Sequence, residues 1–233
     1  TSATADASTN EDAAYTLDAS AIFTDVDASE VLTYSMSGAP SSLSIDTSTG
    51  AITGTPLNAN VGAHTITITV ADDESPTPAS ASDVFILTVV NVNDAPTLST
   101  AISDTSIDED ATTLSLSASF ADVDAGDTLT YTMSGCPSTI SIDSSTGVIT
   151  GTPVNADVGA STCTVTATDD GTGLLSASDE FILTVVNTND APTVTSATAD
   201  ASTNEDAAYT LDASAIFTDV DASEVLTYSM SGA

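Results

Sequence analysis

The sequence predicts an all-β chain of tandem β-sandwich repeats, each of about 97 residues, and three observations predict it. The chain repeats itself: Thr1 to Ala39 returns letter for letter as Thr195 to Ala233. A diverged copy lies at half that distance, since FTDVDASEVLTYSMSGAP (Phe23 to Pro40) matches FADVDAGDTLTYTMSGCP (Phe120 to Pro137). Within the units, apolar residues alternate with Thr, as in His64-Thr-Ile66-Thr-Ile68-Thr-Val70 and Thr162-Cys163-Thr-Val165-Thr-Ala167. That is the period of a half-buried strand, and the helical spacing of 3.6 is sustained nowhere. Finally, 41% of residues are apolar but only 4% are aromatic, with no Trp. A core must come from Val, Ile, Leu and Ala, which suits several small sheet domains better than one large one.

The elements follow in order along a unit. An acidic turn, Asn10-Glu11-Asp12, opens it, with counterparts at Asp108-Glu109-Asp110 and Asn204-Glu205-Asp206. A strand then leads into Asp25-Val-Asp27, Asp122-Val-Asp124 or Asp219-Val-Asp221. LTYSM or LTYTM supplies the next strand, its Tyr34, Tyr131 or Tyr228 read as core. The blocks SIDTSTGAITGTP (from Ser44) and SIDSSTGVITGTP (from Ser141) read as hairpins turned at Ser-Thr-Gly. The Thr-alternating strand ends at Asp72-Asp73 or Asp169-Asp170, and Phe85-Ile-Leu87-Thr-Val89 or Phe181-Ile-Leu183-Thr-Val185 closes the unit. In NVNDAPT and NTNDAPT, Pro96 and Pro192 cannot donate to a continuing ladder and so stiffen the join. About seven short β-branched strands separated by turns read as an antiparallel, immunoglobulin-like sandwich. The repeats are expected at 1–97, 98–193 and 194–233, the last being the N-terminal part of a second copy of the first. With its last 39 residues equal to its first 39, the chain reads as a window on a longer array.

Charge narrows the function. The chain carries 34 Asp and Glu, no Lys and no Arg, for a formal charge of −34. Nucleic acids and anionic membranes are recognised by cationic side chains, so neither is an expected partner. No stretch reaches the roughly 18 to 20 apolar residues of a membrane span. A polycation or a divalent metal is the natural counterpart. Ca²⁺ takes six to eight oxygens in tolerant geometry, and an Asp-x-Asp pair in an extended turn aims two carboxylates at one ion. Zn²⁺ would ask for His or Cys, and Mg²⁺ for stricter octahedral geometry. The competing reading makes the same aspartates turn caps for backbone N–H groups. Solubilising acidity contributes as well.

The Asn-x-Asn-Asp-Ala-Pro linker, the upstream Glu, the Asp-Val-Asp and the turn after Asp169 together resemble the calcium motifs of cadherin repeats. The SID-STG-ITGTP blocks resemble the dystroglycan-type cadherin-like repeats of bacterial and archaeal surface proteins. This resemblance implies Ca²⁺ ligands Glu11, Asn91, Asn93 and Asp94 with Asp122, Asp124 and Asp169 at the first junction. At the second it implies Glu109, Asn187, Asn189 and Asp190 with Asp219 and Asp221. Asp25, Asp27 and Asp72 are the equivalent positions of the first unit. This chain departs from the family pattern at Asn91 and Asn187, where the family has Asp, and around Asn58-Ala-Asn60 and Asn155-Ala-Asp157, where it has a DxE. Fewer charged ligands imply one or two ions per junction rather than three. No Trp near the start of a unit anchors strand-exchange adhesion.

Cys136 and Cys163 replace Ala39 and Ile66 of the first unit, a paired change expected of a disulfide, with two buried free thiols as the alternative. A bridge closing a loop of about 28 residues would contribute roughly 3 to 4 kcal/mol and points outside the cytosol. His64 stands alone and no Ser/His/Asp set recurs, so catalysis is not expected. The sequence thus predicts a structural segment of a long extracellular filament or cell-surface stalk, rigidified by Ca²⁺ and partnered by further copies of the repeat. The alternative is an adhesin module that binds cell-surface or matrix carbohydrate or protein by avidity.

Overall fold

A computed structural model describes residues 3–26, 31–73, 78–112, 114–221 and 224–232. Asp27, one of the expected ligands, lies outside the described residues. The chain forms two compact units. One comprises Thr1–Asp94 with Asp122–Asp127 and Gly171–Gly173; the other comprises Ala95–Ala121, Thr128–Asp170 and Leu174–Ala233. The Asp-Val-Asp loop of the second repeat therefore belongs structurally to the first unit.

The first unit contains β1 (Ala7–Asn10), β2 (Tyr15–Asp18), β3 (Thr33–Ser37), β4 (Leu43–Ile45), β5 (Ala51–Gly54), β6 (Gly62–Ala71) and β7 (Ser80–Val90). One sheet runs β1-β7-β6-β3 and the other β2-β5-β4. All pairings are antiparallel except β1 with β7, which is parallel and sets Ala7 opposite Leu87 and Asn10 opposite Val90. The Thr alternation of β6 leaves Ile66, Ile68 and Val70 buried, and these meet Phe85 and Leu87 of β7. Phe23, Tyr34, Leu43 and Ile52 complete the core from the remaining elements. Each such side chain contributes roughly 1.5–3 kcal/mol on burial.

Turn chemistry keeps the register of the β4–β5 hairpin. Asp46 accepts hydrogen bonds from the backbone N–H groups of Ser48 (2.9 Å) and Thr49 (2.8 Å). Gly50 has φ +69°, and a Cβ there would press on the Tyr34 ring at 3.0 Å. The Ser-Thr-Gly sequence is thus explained by a left-handed turn residue under a buried aromatic.

The second unit contains β8 (Thr97–Thr100), β9 (Thr105–Asp108), β10 (Leu114–Ser117), β11 (Ser119–Ala121), β12 (Thr130–Ser134), β13 (Ile140–Ile142), β14 (Val148–Gly151), β15 (Gly159–Thr168) and β16 (Ser176–Val186). Its sheets run β12-β15-β16-β9 and β10-β14-β13, with β8 and β11 paired separately. Cys163 takes the fully buried place that Ile66 holds in the first unit and is disulfide-bonded to Cys136, with Cα atoms 4.8 Å apart. Two short strands, β17 (Thr193–Val194) and β18 (Phe217–Thr218), pair with each other. Among the described residues the only helices are three-residue 3₁₀ turns, and none is long and apolar enough to cross a membrane.

Candidate metal centres

Each centre starts from the acidic turn that opens a repeat. Asp12 and Asp110 adopt positive φ, 55° and 61°, a left-handed conformation that Asp tolerates better than most residues. Backbone bonds fix both ends of the turn: Glu11 N–H donates to the Val90 carbonyl (3.0 Å) and Asp12 N–H to Pro56 (2.8 Å). Glu109 and Asp110 repeat this on Val186 (3.0 Å) and Pro153 (2.8 Å). The reversal turns the glutamate inward, leaving Glu11 2% and Glu109 3% exposed. One oxygen of each accepts a linker N–H, Val92 onto Glu11 Oε1 (2.8 Å) and Thr188 onto Glu109 Oε1 (2.7 Å). The other oxygen, Oε2 in both, is buried without a hydrogen-bond partner.

Two more carboxylates gather at each glutamate. In the first unit, Glu11, Asp94 and Asp124 offer ligand atoms all within 4.8 Å of one another; in the second, Glu109, Asp190 and Asp221 do the same. Asp124 and Asp221 are 4% and 6% exposed. Each is oriented by its own Asp-Val-Asp loop, in which Asp122 Oδ1 accepts the Asp124 N–H and Asp219 Oδ1 the Asp221 N–H, both at 3.0 Å. The linker closes the arrangement, as Asp94 N–H donates to Asp124 Oδ2 (2.6 Å) and Asp190 N–H to Asp221 Oδ2 (2.7 Å).

The electrostatics separate two kinds of aspartate. Asp94 is pushed above the ordinary carboxylate range by desolvation first, then by the negative charges of Asp124, Asp12 and Asp122. Asp190 is raised likewise, by desolvation and then by Asp221, Glu109, Asp110 and Asp219. Asp46 and Asp143 are lowered instead, chiefly by the backbone N–H groups they accept from, and Asp170 is lowered by the Thr128 hydroxyl and N–H. The second set consists of turn and loop caps, as the competing reading of the sequence expects. The first set consists of carboxylates turned toward other carboxylates, and no Lys or Arg exists in the chain to neutralise them.

The remaining expected ligands are placed differently. Asn91, Asn187 and Asn189 are exposed and Asn93 is half-buried. Asp169 is buried, its Oδ1 accepting the Leu175 N–H at 3.1 Å. Asp25 is exposed and Asp72 half-buried, and neither belongs to the two clusters; Asp72 Oδ1 accepts the Ala79 N–H at 3.0 Å. Asp12 and Asp110 are not among the expected ligands, yet both charges act on the clusters; their signal in sequence is adjacency to the inward glutamate.

Two tandem sandwiches with a parallel first strand and paired acidic clusters define a protein of tandem Ig-like, cadherin-like repeats. The chain belongs to the putative Ig domain family, which matches residues 1–90 and 95–186. No curated protein matches it. Among solved structures, it resembles mouse cadherin-23 EC22-24 with 23% identity, 68% of this chain and 53% of that one covered and a TM-score of 0.51. Human CDH23 EC21-23 is similar at 26% identity, covering 70% and 66%, with a TM-score of 0.51. Drosophila N-cadherin EC1-4 is similar at 18% identity, covering 80% and 48%, with a TM-score of 0.52. The chain thus spans about half to two thirds of the length of these structures.

Proposed function

We propose that this chain is a repeating segment of an extracellular filament or cell-surface stalk, with repeats at 1–97, 98–193 and 194–233, in which Ca²⁺ ties each linker to the Asp-Val-Asp loop that follows it. The observation that carries this reading is the pair of clusters Glu11, Asp94, Asp124 and Glu109, Asp190, Asp221. Buried charge of one sign is unfavourable unless it is compensated. The chain has no Lys or Arg to compensate it, which leaves protonation or a bound cation, and a cation does so at neutral pH without emptying the site of charge. The donor set fits Ca²⁺, because it is all oxygen, anionic and drawn from flexible loops, with no His or Cys to favour zinc. Glu11, Asp94 and Asp124 would hold one ion and Glu109, Asp190 and Asp221 another, with Asn93, Asp122, Asn189 and Asp219 near enough in sequence to add oxygens. The bound ion would supply charge neutralisation and cross-linking. Without it, mutual repulsion loosens the linker.

A spacer role accounts for near-identical repetition, because rigidity accumulates with every copy. A disulfide-bonded second unit and a surface without basic residues agree with an extracellular setting. The test is small-angle scattering and calorimetry of the chain in Ca²⁺, in chelator and in Na⁺ of equal ionic strength. A gain in length and melting temperature specific to Ca²⁺ is expected; identical profiles in all three would overturn the proposal and leave adhesion by the sandwich faces as the reading to pursue.

A further inference from the structure

The two oxygens of Asp124 are both held before any ion is considered, and only one of them by the linker. Oδ2 accepts the Asp94 N–H, whereas Oδ1 accepts the side-chain amide of Asn58 at 2.9 Å, across 66 residues of sequence. The second unit repeats this: Asp221 Oδ1 accepts the Asn155 amide at 3.2 Å, again across 66 residues. Both asparagines open a 3₁₀ turn, Asn58–Asn60 and Asn155–Asp157. The third residue of the turn is already engaged locally. Asn60 Oδ1 accepts Leu57 N–H (3.0 Å) and the Ser42 hydroxyl (2.9 Å), while Asp157 Oδ2 accepts Val154 N–H (3.0 Å) and the Thr139 hydroxyl (2.7 Å). Asn and Asp interchange there because the turn needs only an acceptor. The first position is Asn in both repeats, and its role needs an N–H donor, which a carboxylate lacks.

We propose that Asn58 and Asn155 are positioning residues of the two cation sites, each holding the second aspartate of an Asp-Val-Asp loop in its ligating orientation by an amide hydrogen bond. This rests on the Ca²⁺ reading above. A carboxylate pinned by two donors loses little freedom when an ion arrives, whereas an unpinned one would turn away from Glu11, whose Oε2 is buried and unpartnered. Hydrogen bonds of this kind behind a ligand typically govern metal affinity by 10- to 100-fold. The amide also adds no further negative charge, so the cluster stays assembled at low calcium.

The test is calorimetric titration of the full chain with CaCl₂ alone, using N58A, the near-isosteric N58L and the mirror variant N155A. The expected result is that N58A and N58L weaken one site about tenfold or more while the other keeps its affinity, and that N155A weakens the other one. Melting in chelator separates this from a structural role. If the variants melt lower by the same amount in chelator and in calcium, with wild-type affinity at both sites, Asn58 is only a fold contact and the proposal is overturned. Wild-type chain that takes up no Ca²⁺ would overturn the calcium reading itself, along with this inference.

Discussion

Residues 1–39 and 195–233 are identical in sequence, and their described residues differ in strand pairing and burial. What they share is local. Asp18 caps its 3₁₀ turn by accepting from Ser20 N–H (2.9 Å) and hydroxyl (2.6 Å), and Asp212 does so on Ser214 at the same distances. The left-handed aspartate recurs, with φ 55° at Asp12 and 60° at Asp206. So does the aromatic contact, with ring centroids 6.5 Å apart for Phe23 and Tyr34 and 6.2 Å for Phe217 and Tyr228. What they do not share depends on distant residues. Ala7–Asn10 is a strand paired with Leu87 to Val90, whereas 201–204 is not a strand. Tyr34 is 4% exposed and Tyr228 48%; Phe23 is 5% and Phe217 39%. Glu11 is buried and Glu205 exposed. In the first copy, strand pairing and burial come from β6 and β7, some 30 to 80 residues away, and contacts of that kind offset the cost of ordering the chain.

Truncating one ring in each copy gives the largest expected contrast. Phe23→Ala should cost roughly 3–5 kcal/mol in the first unit, and Phe217→Ala less than about 1, read by denaturant titration of each variant. Equal losses would mean the last copy is as well packed as the first. Next comes the disulfide, the chief covalent difference between the two full repeats. Installing the first repeat's residues, C136A with C163I, should lower the second unit's stability by up to about 3 kcal/mol, offset in part by the added isoleucine packing. Reductant should then have no further effect on melting.

Glutamate to glutamine separates the copies by site. Glu11→Gln should lose roughly 1.5–3 kcal/mol of the stability measured in calcium, yet raise melting in chelator, because a buried negative charge is gone. Glu205→Gln should change neither. The smallest effect is that of pH on the metal-free chain. Asp94 and Asp190 are raised, so they cost stability at neutral pH and return it as pH falls through their folded values. Asp46 and Asp143 are lowered; their contribution is complete above the unfolded value of 3.8 and is lost as pH falls through the lowered one. Melting in chelator should therefore rise on mild acidification and fall below about pH 4. In D46N/D143N, which keeps an acceptor but does not titrate, the falling limb should shrink.

Much of this was legible in the sequence. Period-two patterning located β6, β7, β15 and β16, and Ser-Thr-Gly located both hairpin turns, because each signal is carried by neighbours in sequence. Glu11, Asp94 and Asp124 could be nominated from their motifs. Their separation from Asp46 and Asp143 could not, since all are carboxylates beside turn residues. In sequence Asn58 shows only as a missing acid; that its amide reaches Asp124 depends on a 3₁₀ turn meeting a loop 66 residues on.

By itself the sequence determined the repeat length, the strand alternation, the turns and the excess of negative charge, all of which are properties of composition and of residues a few positions apart. Only the tertiary structure decided which carboxylates confront one another, which are satisfied by N–H groups, and which residues of the first copy are core. Burial and charge repulsion depend on what a residue meets across the fold, and those neighbours lie tens of residues away in the chain.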